Sequence, residues 1–256
     1  MTEIDINRLV RLDDRVAIVT GASSGLGNRF ARVLHAAGAT VVLAARRADR
    51  IDQLAGELTG SVPVVCDVTD DDQRRHLVEV ALGLDGRIDI LVNNAGVSNP
   101  MPAEDEPLDH FEAVMNLNVN SLFAMCQLVG RHMIDRGNGV IVNVASILGM
   151  VASAPVKQAS YTASKGAVVN LTRELGAQWA RKGVRVNALA PGWFPSELTS
   201  EMFDDEASLA FLRRNAPMGR GGDEAELDGA LVFLAGDAST YMTGAVLVID
   251  GGWTAR

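Results

Sequence analysis

Short runs of apolar and β-branched residues alternate along this chain with longer stretches of helical periodicity. Runs that are apolar throughout are typical of strands buried on both faces of a parallel sheet. The predicted strands cover residues 16–20, 40–44, 62–66, 88–93, 139–145, 185–190 and 245–249. The predicted helices cover residues 28–37, 49–58, 71–82, 111–136, 161–182 and 224–235. This order predicts an α/β fold, a doubly wound parallel sheet of about seven strands with helices on both faces.

No linker, repeat or low-complexity stretch divides the 256 residues, so we expect one domain over residues 1–256. Two segments, 97–110 and 191–223, are too long for ordinary connections between strands and helices. Both should leave the carboxyl ends of strands, where open α/β sheets bind their ligands. We expect the second, at about 191–223, to form a small helical lid over a substrate.

Composition excludes several classes of protein. Hydrophobic residues make up 48%, charged residues make up 21%, and the net charge is -9, which argues against nucleic acid as the main partner. The two cysteines and four histidines lack ligand spacing, which predicts reduced thiols and no metal. The polar, acidic N-terminus and the lack of an apolar run of about 18 residues favour a cytoplasmic protein without a membrane span.

A glycine-rich turn directly follows the first predicted strand. Residues 20–27 read Thr-Gly-Ala-Ser-Ser-Gly-Leu-Gly, and the glycines allow the backbone to turn tightly and to approach a pyrophosphate. The helix after the turn directs its N-terminal amides at that anion. The spacing differs from the commonest dinucleotide fingerprint, but its place between the first strand and the first helix predicts a Rossmann-type dinucleotide site.

The residues after the second and third strands bear on the choice of cofactor. Arg46 and Arg47 stand where an NAD site usually has an acid for the ribose 2′-hydroxyl. Arginine suits the 2′-phosphate of NADP, so the sequence favours NADP(H) over NAD(H); a solvated basic loop is the alternative. Asp67 and Val68 would border the adenine, unless Asp67 is only a turn acid.

Tyr161 and Lys165 lie four residues apart, on one face of the predicted helix over 161–182. A lysine ammonium beside a phenol favours the phenolate, so we expect Lys165 to lower the pKa of Tyr161 from its ordinary value of about 10. A tyrosine tuned in this way could exchange protons with an alcohol or a ketone near neutral pH.

Taken together, these motifs resemble those of the short-chain dehydrogenase/reductase family, in its single-domain branch, over about residues 13–253. That branch includes 3-oxoacyl-carrier-protein reductases, glucose and gluconate dehydrogenases and carbonyl reductases. The segments that match the family pattern are residues 20–27, Asn93-Asn94-Ala95-Gly96, Asn118, Ser146, the Tyr161 and Lys165 pair, Pro191-Gly192 and residues 241–244. The loop 147–160 is slightly longer than in many relatives.

The resemblance implies reversible hydride transfer between NADP(H) and a secondary alcohol or ketone. Tyr161 would exchange the proton, Ser146 would hydrogen-bond the substrate oxygen, and Lys165 would hold the nicotinamide ribose. Asn118 would fix a water that relays protons, with Asn120 as a competitor for that position. Taken alone, Ser146 would be a capping serine. The expected cofactor-binding residues are Gly21, Ser23, Ser24, Gly25, Leu26, Gly27, Arg46, Arg47, Asp67, Val68, Asn94, Ala95, Gly96, Tyr161, Lys165, Pro191, Gly192, Phe194 and Ser196.

The expected substrate pocket combines these catalytic groups with the lid. Its residues are Ser146, Leu148, Tyr161, Trp193 and Met202. Further apolar side chains could line the pocket or pack the lid onto the body: Ile147, Met150, Val151, Phe194, Leu198, Phe203, Leu209, Phe211 and Leu212. Such a pocket favours a ketone, an acyl group or a hydroxylated ring. An NAD-dependent sugar, polyol or hydroxysteroid dehydrogenase is the alternative.

Two other functions use the same fold. A non-catalytic nucleotide-sensing protein would be expected to lose Ser146, Tyr161 or Lys165, and all three are present. A dehydratase or epimerase usually has a longer chain with a substrate domain. Relatives commonly assemble through two long helices and the last strand, so we expect a homotetramer, with a dimer as the alternative.

Overall fold

A seven-stranded sheet forms the centre of the protein, in the order β3-β2-β1-β4-β5-β6-β7. The computed structural model describes residues 5–153 and 156–255. The strands are β1 Val16–Thr20, β2 Thr40–Ala45, β3 Val62–Val65, β4 Ile90–Asn93, β5 Gly139–Val144, β6 Val184–Pro191 and β7 Val246–Ile249. Every pairing is parallel, so the predicted fold class is confirmed. Where strand ends differ from the prediction, they do so by one or two residues.

Helices cover both faces of the sheet. They are α1 Ile6–Val10, α2 Gly25–Ala36, α3 Ala48–Glu57, α4 Asp71–Asp85, α5 Leu108–Met115, α6 Ser121–Arg136, α7 Ala159–Trp179, α8 Ser200–Asp204, α9 Glu206–Asn215 and α10 Asp228–Ala235. Side chains alternate across β1: Ile18 packs in a core with α4, α6 and α7, whereas Val19 packs in a second core with α2, α3 and α10. Both cores bury apolar residues, which explains the uninterrupted apolar strands.

The order of the strands creates a crevice at one edge of the sheet. The chain builds β1, β2 and β3 outward, then crosses back so that β4 lies on the other side of β1. The carboxyl ends of β1 and β4 therefore lead into loops that diverge, which is where such sheets bind ligands. Both long excursions begin at this edge: 97–110 comes after β4, and the segment at 191–223, which contains α8 and α9, comes after β6.

The helix predicted over 111–136 is interrupted, and this prediction needs correction. The chain forms α5, then a π-helical turn over Asn116–Asn120, and then α6. A π-turn inserts a residue into the helical ladder and is frequent at functional sites. It rotates Asn118 inward, so this side chain is 1% exposed, while Asn120 is exposed.

The described residues also bear on the expectations for thiols, metal ions and membrane spans. Cys66 and Cys126 are buried and unpaired, and burial raises their pKa values to about 11 and about 12. Within residues 5–153 and 156–255, no three histidine, cysteine, aspartate or glutamate side chains are grouped so as to bind a metal ion. None of the described helices combines the length and the apolar character needed to cross a membrane.

Candidate active site

A cavity of about 950 Å³ opens at the carboxyl edge of the sheet, beneath the lid. It extends from the glycine turn after β1 to the first turn of α7, and α9 contributes to its outer wall. All the residues expected to bind cofactor and all five expected in the substrate pocket line this cavity. Asn118 is the predicted residue that lies outside the lining, in the wall behind it.

The glycine turn requires glycine for two different reasons. Gly21 has φ +68°, in the left-handed region that other residues rarely adopt. Gly27 lies in the first turn of α2, where a Cβ atom would collide with the carbonyl oxygen of Gly21 and with the side chain of Asn94. The turn is therefore packed directly against the loop after β4, and the N-terminus of α2 faces the cavity.

Asn94 and Ala95 fasten the ends of β1 and β4 together. The Asn94 side chain donates to the Thr20 carbonyl oxygen at 3.0 Å, and Thr20 Oγ1 accepts from the Asn94 and Ala95 amides at 3.0 and 3.1 Å. The preceding Asn93 is buried and donates to Asn143 Oδ1 at 3.0 Å. Asn93 is thus a core residue, whereas Asn94 and Ala95 shape the floor of the cleft.

Arg47 is held at the end of β2 by the glycine turn. Its Nη2 donates to Ser24 Oγ at 2.6 Å and to Ser23 Oγ at 2.9 Å. Arg46 is exposed at the cavity rim. The guanidinium and the two hydroxyls form a cluster of anion-binding groups, which is what the sequence predicts for a 2′-phosphate.

Asp67 lines the cavity, but its carboxylate also stabilises a turn. Oδ1 accepts from the Thr69 amide at 2.9 Å and from its hydroxyl at 2.7 Å. The hydrogen bond from the Thr69 amide lowers the pKa of Asp67, against the effect of burial. The alternative of a turn acid is therefore realised in the structure, at a position that also borders the cavity.

Ser146, Tyr161 and Lys165 come together where β5 and α7 meet the cavity. Ser146 is 7% exposed, and its Oγ accepts from the Leu148 amide at 3.1 Å, so this serine does cap the 3-10 turn that follows β5. Lys165 is 5% exposed and donates from Nζ to the Val144 carbonyl oxygen at 2.8 Å. The Lys165 ammonium lies 5.6 Å from the centroid of the Tyr161 ring.

The expected effect of Lys165 on Tyr161 is wrong for this structure. Burial raises the pKa of Tyr161 above its ordinary value, and the Ser146 hydroxyl, which hydrogen-bonds the phenol, opposes that rise. Burial also lowers the pKa of Lys165 to about 8. The spacing along the helix correctly predicts that the two side chains lie together. It does not predict how far burial disfavours the charged form of each side chain, and burial decides both pKa values here.

Asn118 connects the π-turn to the loop after β4 and to α7. Its Nδ2 donates to the Val97 carbonyl oxygen at 2.9 Å and to Ser164 Oγ at 3.0 Å, and its Oδ1 accepts from the Val97 amide at 2.9 Å. A Cβ atom on Gly96 would lie 3.1 Å from that Oδ1 and 3.6 Å from Lys165 Nζ. Asn118 therefore lies close behind the lysine, whereas the exposed Asn120 side chain donates to Asn116 Oδ1 along the same turn.

A polar wall on the substrate side of the cavity was not predicted from the sequence. Gln158 is 8% exposed; its Oε1 accepts from Ser98 Oγ at 2.6 Å, and its Nε2 donates to Ser153 Oγ at 2.6 Å. Gln158 and Ser98 both line the cavity. One feature of the sequence could have indicated this wall. Gln158 precedes Tyr161 by three residues, and residues at that spacing lie on the same face of a helix.

The opposite wall of the cavity is apolar and belongs mainly to the lid. The expected side chains that do line the cavity are Ile147, Leu148, Trp193, Phe194, Leu198, Met202 and Phe211. Met150, Val151, Phe203, Leu209 and Leu212 do not. Trp253, near the end of the chain, contacts the ring of Trp193 at 5.6 Å between centroids and that of Phe211 at 5.8 Å.

Glu197, a lid residue that lines the cavity beside Ser196, was also not predicted from the sequence. Its carboxylate accepts a hydrogen bond from Ser24 Oγ at 2.7 Å and one from Arg47 Nη2 at 2.9 Å. Ser196 Oγ lies 2.9 Å from Thr199 Oγ1. The lid therefore reaches across the cavity to the glycine turn, a contact that the local sequence of the lid does not reveal.

The residues present fit a dinucleotide. The glycine turn leaves room for a pyrophosphate at a helix N-terminus, Arg47 and the two serines offer donors to a further phosphate, and the other end of the cavity reaches Tyr161. A bound nicotinamide would supply the hydride. The protein would supply orientation and one proton.

Comparisons with known proteins show which family the chain is similar to. The family described as enoyl-(acyl carrier protein) reductase matches residues 21–254. The chain is 42% identical to gluconate 5-dehydrogenase of Gluconobacter oxydans over 250 residues, covering 96% of this chain and 97% of that protein. It is 40% identical to the L-tagatose-forming galactitol 2-dehydrogenase of Cereibacter sphaeroides, covering 98% and 99% of the two chains.

Solved structures show the same likeness. A gluconate 5-dehydrogenase from Burkholderia cenocepacia in complex with NADP and tartrate has a TM-score of 0.92 at 38% identity, covering 98% of this chain and 100% of that one. A short-chain type dehydrogenase/reductase from Mycobacterium marinum has a TM-score of 0.94 at 37% identity, with the same coverage. The chain therefore belongs to the short-chain dehydrogenase/reductase family.

Proposed function

We propose that this protein is an NADP(H)-dependent oxidoreductase that interconverts a secondary alcohol and a ketone. One observation carries the proposal: a single cavity contains the glycine turn and anion-binding groups at one end and Ser146, Tyr161 and Lys165 at the other. Two relatives, a gluconate 5-dehydrogenase at 42% identity and a galactitol 2-dehydrogenase at 40% identity, support the same reaction class.

Tyr161 exchanges the proton that accompanies hydride transfer. In ketone reduction, a hydride adds to the carbonyl carbon and the Tyr161 hydroxyl gives its proton to the carbonyl oxygen, which yields the alcohol. The raised pKa of Tyr161 keeps this hydroxyl protonated before reaction. Ser146 hydrogen-bonds the same oxygen and stabilises the negative charge that develops on it.

Lys165 and Asn118 return a proton to Tyr161. Burial lowers the pKa of Lys165 to about 8, and its ammonium lies 5.6 Å from the centroid of the Tyr161 ring, so this lysine can take up and release protons near neutral pH. Asn118 holds the Val97 backbone and Ser164 in place directly behind the lysine. A water held there by Asn118 would connect Lys165 to solvent.

The substrate side of the cavity suits a molecule with both polar and apolar faces. The Ser98 and Gln158 wall favours a polyhydroxylated alcohol such as a sugar acid or polyol, the class named for the two dehydrogenases above. The lid wall favours an acyl or cyclic ketone, the class of the 3-oxoacyl-[acyl-carrier-protein] reductase from Thermotoga maritima, which is 37% identical over 247 residues. Because Gln158 is buried and hydrogen-bonded in the wall, we favour the polyhydroxylated class.

A substrate panel tests both levels of the proposal. Purified protein is mixed with NADPH or NADH and with sugar-acid ketones, polyol-derived ketones, acyl thioesters and cyclic ketones, and reduced cofactor is followed by absorbance. Activity on a ketone supports the reaction class, and activity concentrated among polyhydroxylated ketones supports the substrate class. Absence of turnover with all of them, in a protein that binds the reduced cofactor, would contradict the reaction class.

We also propose a cytoplasmic homotetramer. Two buried, unpaired thiols suit a reducing compartment such as the cytoplasm.

The surfaces that support assembly lie on β7 and α6. The residues of edge strand β7 are all partly exposed, whereas those of β1 and β5 are all buried, and Phe123 on α6 is 41% exposed. A second copy that covers β7 and the outer face of α6 would bury these surfaces. Light scattering tests this, and a monomer would contradict it.

A further inference from the structure

Glu197 of the lid lies directly over the group of arginines at the end of β2. Its Oε2 accepts from Ser24 Oγ at 2.7 Å and from Arg47 Nη2 at 2.9 Å. Its Oε1 accepts from Arg47 Nη1 at 3.1 Å and from Arg50 Nη1 at 2.5 Å. One carboxylate thus uses two donors of a single guanidinium in the fork-like geometry that arginine also offers to phosphate.

These donors are the ones that an adenosine 2′-phosphate would need. Arg47 lies at the position after β2 that distinguishes the two dinucleotides, and its other contacts are with the hydroxyls of Ser23 and Ser24 in the glycine turn. The carboxylate of Glu197 uses the Arg47 donors that such a phosphate would need. The hydrogen bond from Arg47, with those from Ser24 and Arg50, lowers the pKa of Glu197 to about 2 against the effect of burial, so this carboxylate is charged at neutral pH.

We infer that Glu197 weakens the preference for NADP that Arg47 provides: it competes with the 2′-phosphate of NADP for Arg47 and Arg50, and NAD, which lacks that phosphate, meets no such competition. This inference rests on the proposed function, because it concerns the same dinucleotide cavity. It adds a negative side chain beside Arg46 and Arg47, the residues that the sequence analysis assigned to the 2′-phosphate.

The direction of the effect follows from charge. A phosphate and a carboxylate cannot both accept from the same guanidinium donors, and their negative charges repel at short range. NADP must therefore displace Glu197 from Arg47. NAD has a 2′-hydroxyl instead, and a carboxylate near that hydroxyl is the usual acceptor in NAD sites.

The competing account is that Glu197 simply holds the lid closed. Ser196 lies against the glycine turn, since a Cβ atom on Gly25 would be 3.3 Å from Ser196 Cβ. If this segment must move for any dinucleotide to enter, loss of the Glu197 contacts would help NAD and NADP equally. The two accounts therefore differ in whether the effect depends on the 2′-phosphate.

Calorimetric titration with two small probes separates these accounts. Adenosine 2′,5′-bisphosphate carries the 2′-phosphate, and 5′-AMP is the same molecule without it. We expect Glu197→Gln to bind the bisphosphate about tenfold more tightly than the unchanged protein, and 5′-AMP within about twofold of it. Equal gains for both probes, or no gain for either, would overturn the inference.

Glu206→Gln is the matched control. Glu206 is another exposed lid carboxylate, paired with Arg213 at 2.7 Å and outside the cavity lining. The same substitution there removes the same charge from the lid, so we expect both probes to bind as they do to the unchanged protein. A gain for the bisphosphate as large as that of Glu197→Gln would show a general charge effect and overturn the inference.

A double substitution locates the competition. With Arg47→Gln already present, adding Glu197→Gln is expected to raise bisphosphate affinity by well under tenfold, because the Arg47 donors are gone and the contested donor that remains is Arg50 Nη1. A full tenfold gain without Arg47 would contradict competition at that side chain. None of these titrations needs turnover, so a protein inactive on every ketone would disprove the proposed reaction and leave this result interpretable.

Discussion

The ammonium of Lys165 lies 5.6 Å from the centroid of the Tyr161 ring, and its Nζ donates to the Val144 carbonyl oxygen at 2.8 Å. The lysine is therefore held against the ring by the backbone at the end of β5. Both side chains are set in a protein wall, which raises the pKa of the phenol and lowers that of the lysine to about 8.

This pair predicts that the two directions of the reaction depend differently on pH. Oxidation needs the Tyr161 phenolate, whose fraction grows with pH because burial keeps its pKa above the assay range. We expect kcat/KM for the alcohol to rise from about pH 6 to about pH 8, close to tenfold per unit, while ketone reduction changes little. Parallel profiles in both directions measure this. An oxidation rate that is flat over that range would rule out Tyr161 as the base with this pKa.

Asn118 is expected to support turnover more than cofactor binding. Asn118→Ala leaves the Val97 amide, the Val97 carbonyl and Ser164 without their partner, which should lower kcat by about tenfold to a hundredfold. The dissociation constant for NADPH, measured by fluorescence, should change by less than about threefold. Asn120→Ala is the control within the same π-turn, and it should leave both quantities unchanged. An equal loss in the two variants would contradict the distinction.

Gly27→Ala tests the packing of the glycine turn. The added methyl group would collide with the Gly21 carbonyl oxygen, so we expect the free energy of unfolding to fall by about 1–3 kcal/mol and cofactor affinity to fall with it. Gly56→Ala adds the same methyl group within α3, where nothing lies within 4 Å, and should be neutral or slightly stabilising. Urea unfolding measures both variants. A Gly27→Ala protein as stable as the original would contradict the close approach.

Asp89 predicts how stability changes in acid. Burial would raise its pKa, but hydrogen bonds from Arg87 and from the Val16 amide outweigh burial and hold the pKa below its ordinary value. A carboxyl with a lowered folded-state pKa stabilises the fold above its unfolded pKa, and that contribution is lost as pH falls through the lowered value. We expect Asp89→Asn to cost about 3 kcal/mol at pH 7, and this cost to shrink below about pH 4.

Urea unfolding at both pH values provides the check, with Asp52→Asn on the exposed face of α3 as the control. We expect this control to stay within about 0.5 kcal/mol of the original protein. A cost for Asp89→Asn that is the same at both pH values would show that the carboxylate charge does not supply this stability.

The sheet could be predicted from the sequence because its signals are local. Each strand is an uninterrupted apolar run, and the glycine turn identifies the strand that binds the dinucleotide. The resemblance to the family then implied that Ser146, Tyr161 and Lys165 share one site.

The parts that could not be predicted depend on contacts across the fold. The π-turn adds a residue to a helix whose periodicity looks continuous, and it is stabilised by the bonds of Asn118 to Val97 and Ser164. The contact between Glu197 and Arg47 joins residues 150 positions apart. The pKa of Tyr161 depends on burial, which sequence spacing does not measure.

The central claim is that Tyr161 exchanges a proton with the substrate oxygen. Tyr161→Phe removes one oxygen from the site and leaves the ring. On whichever ketone the panel identifies, we expect kcat to fall by about a hundredfold or more, with the dissociation constant for NADPH nearly unchanged. A Tyr161→Phe protein that binds NADPH and still reduces the ketone at nearly the original rate would contradict the account.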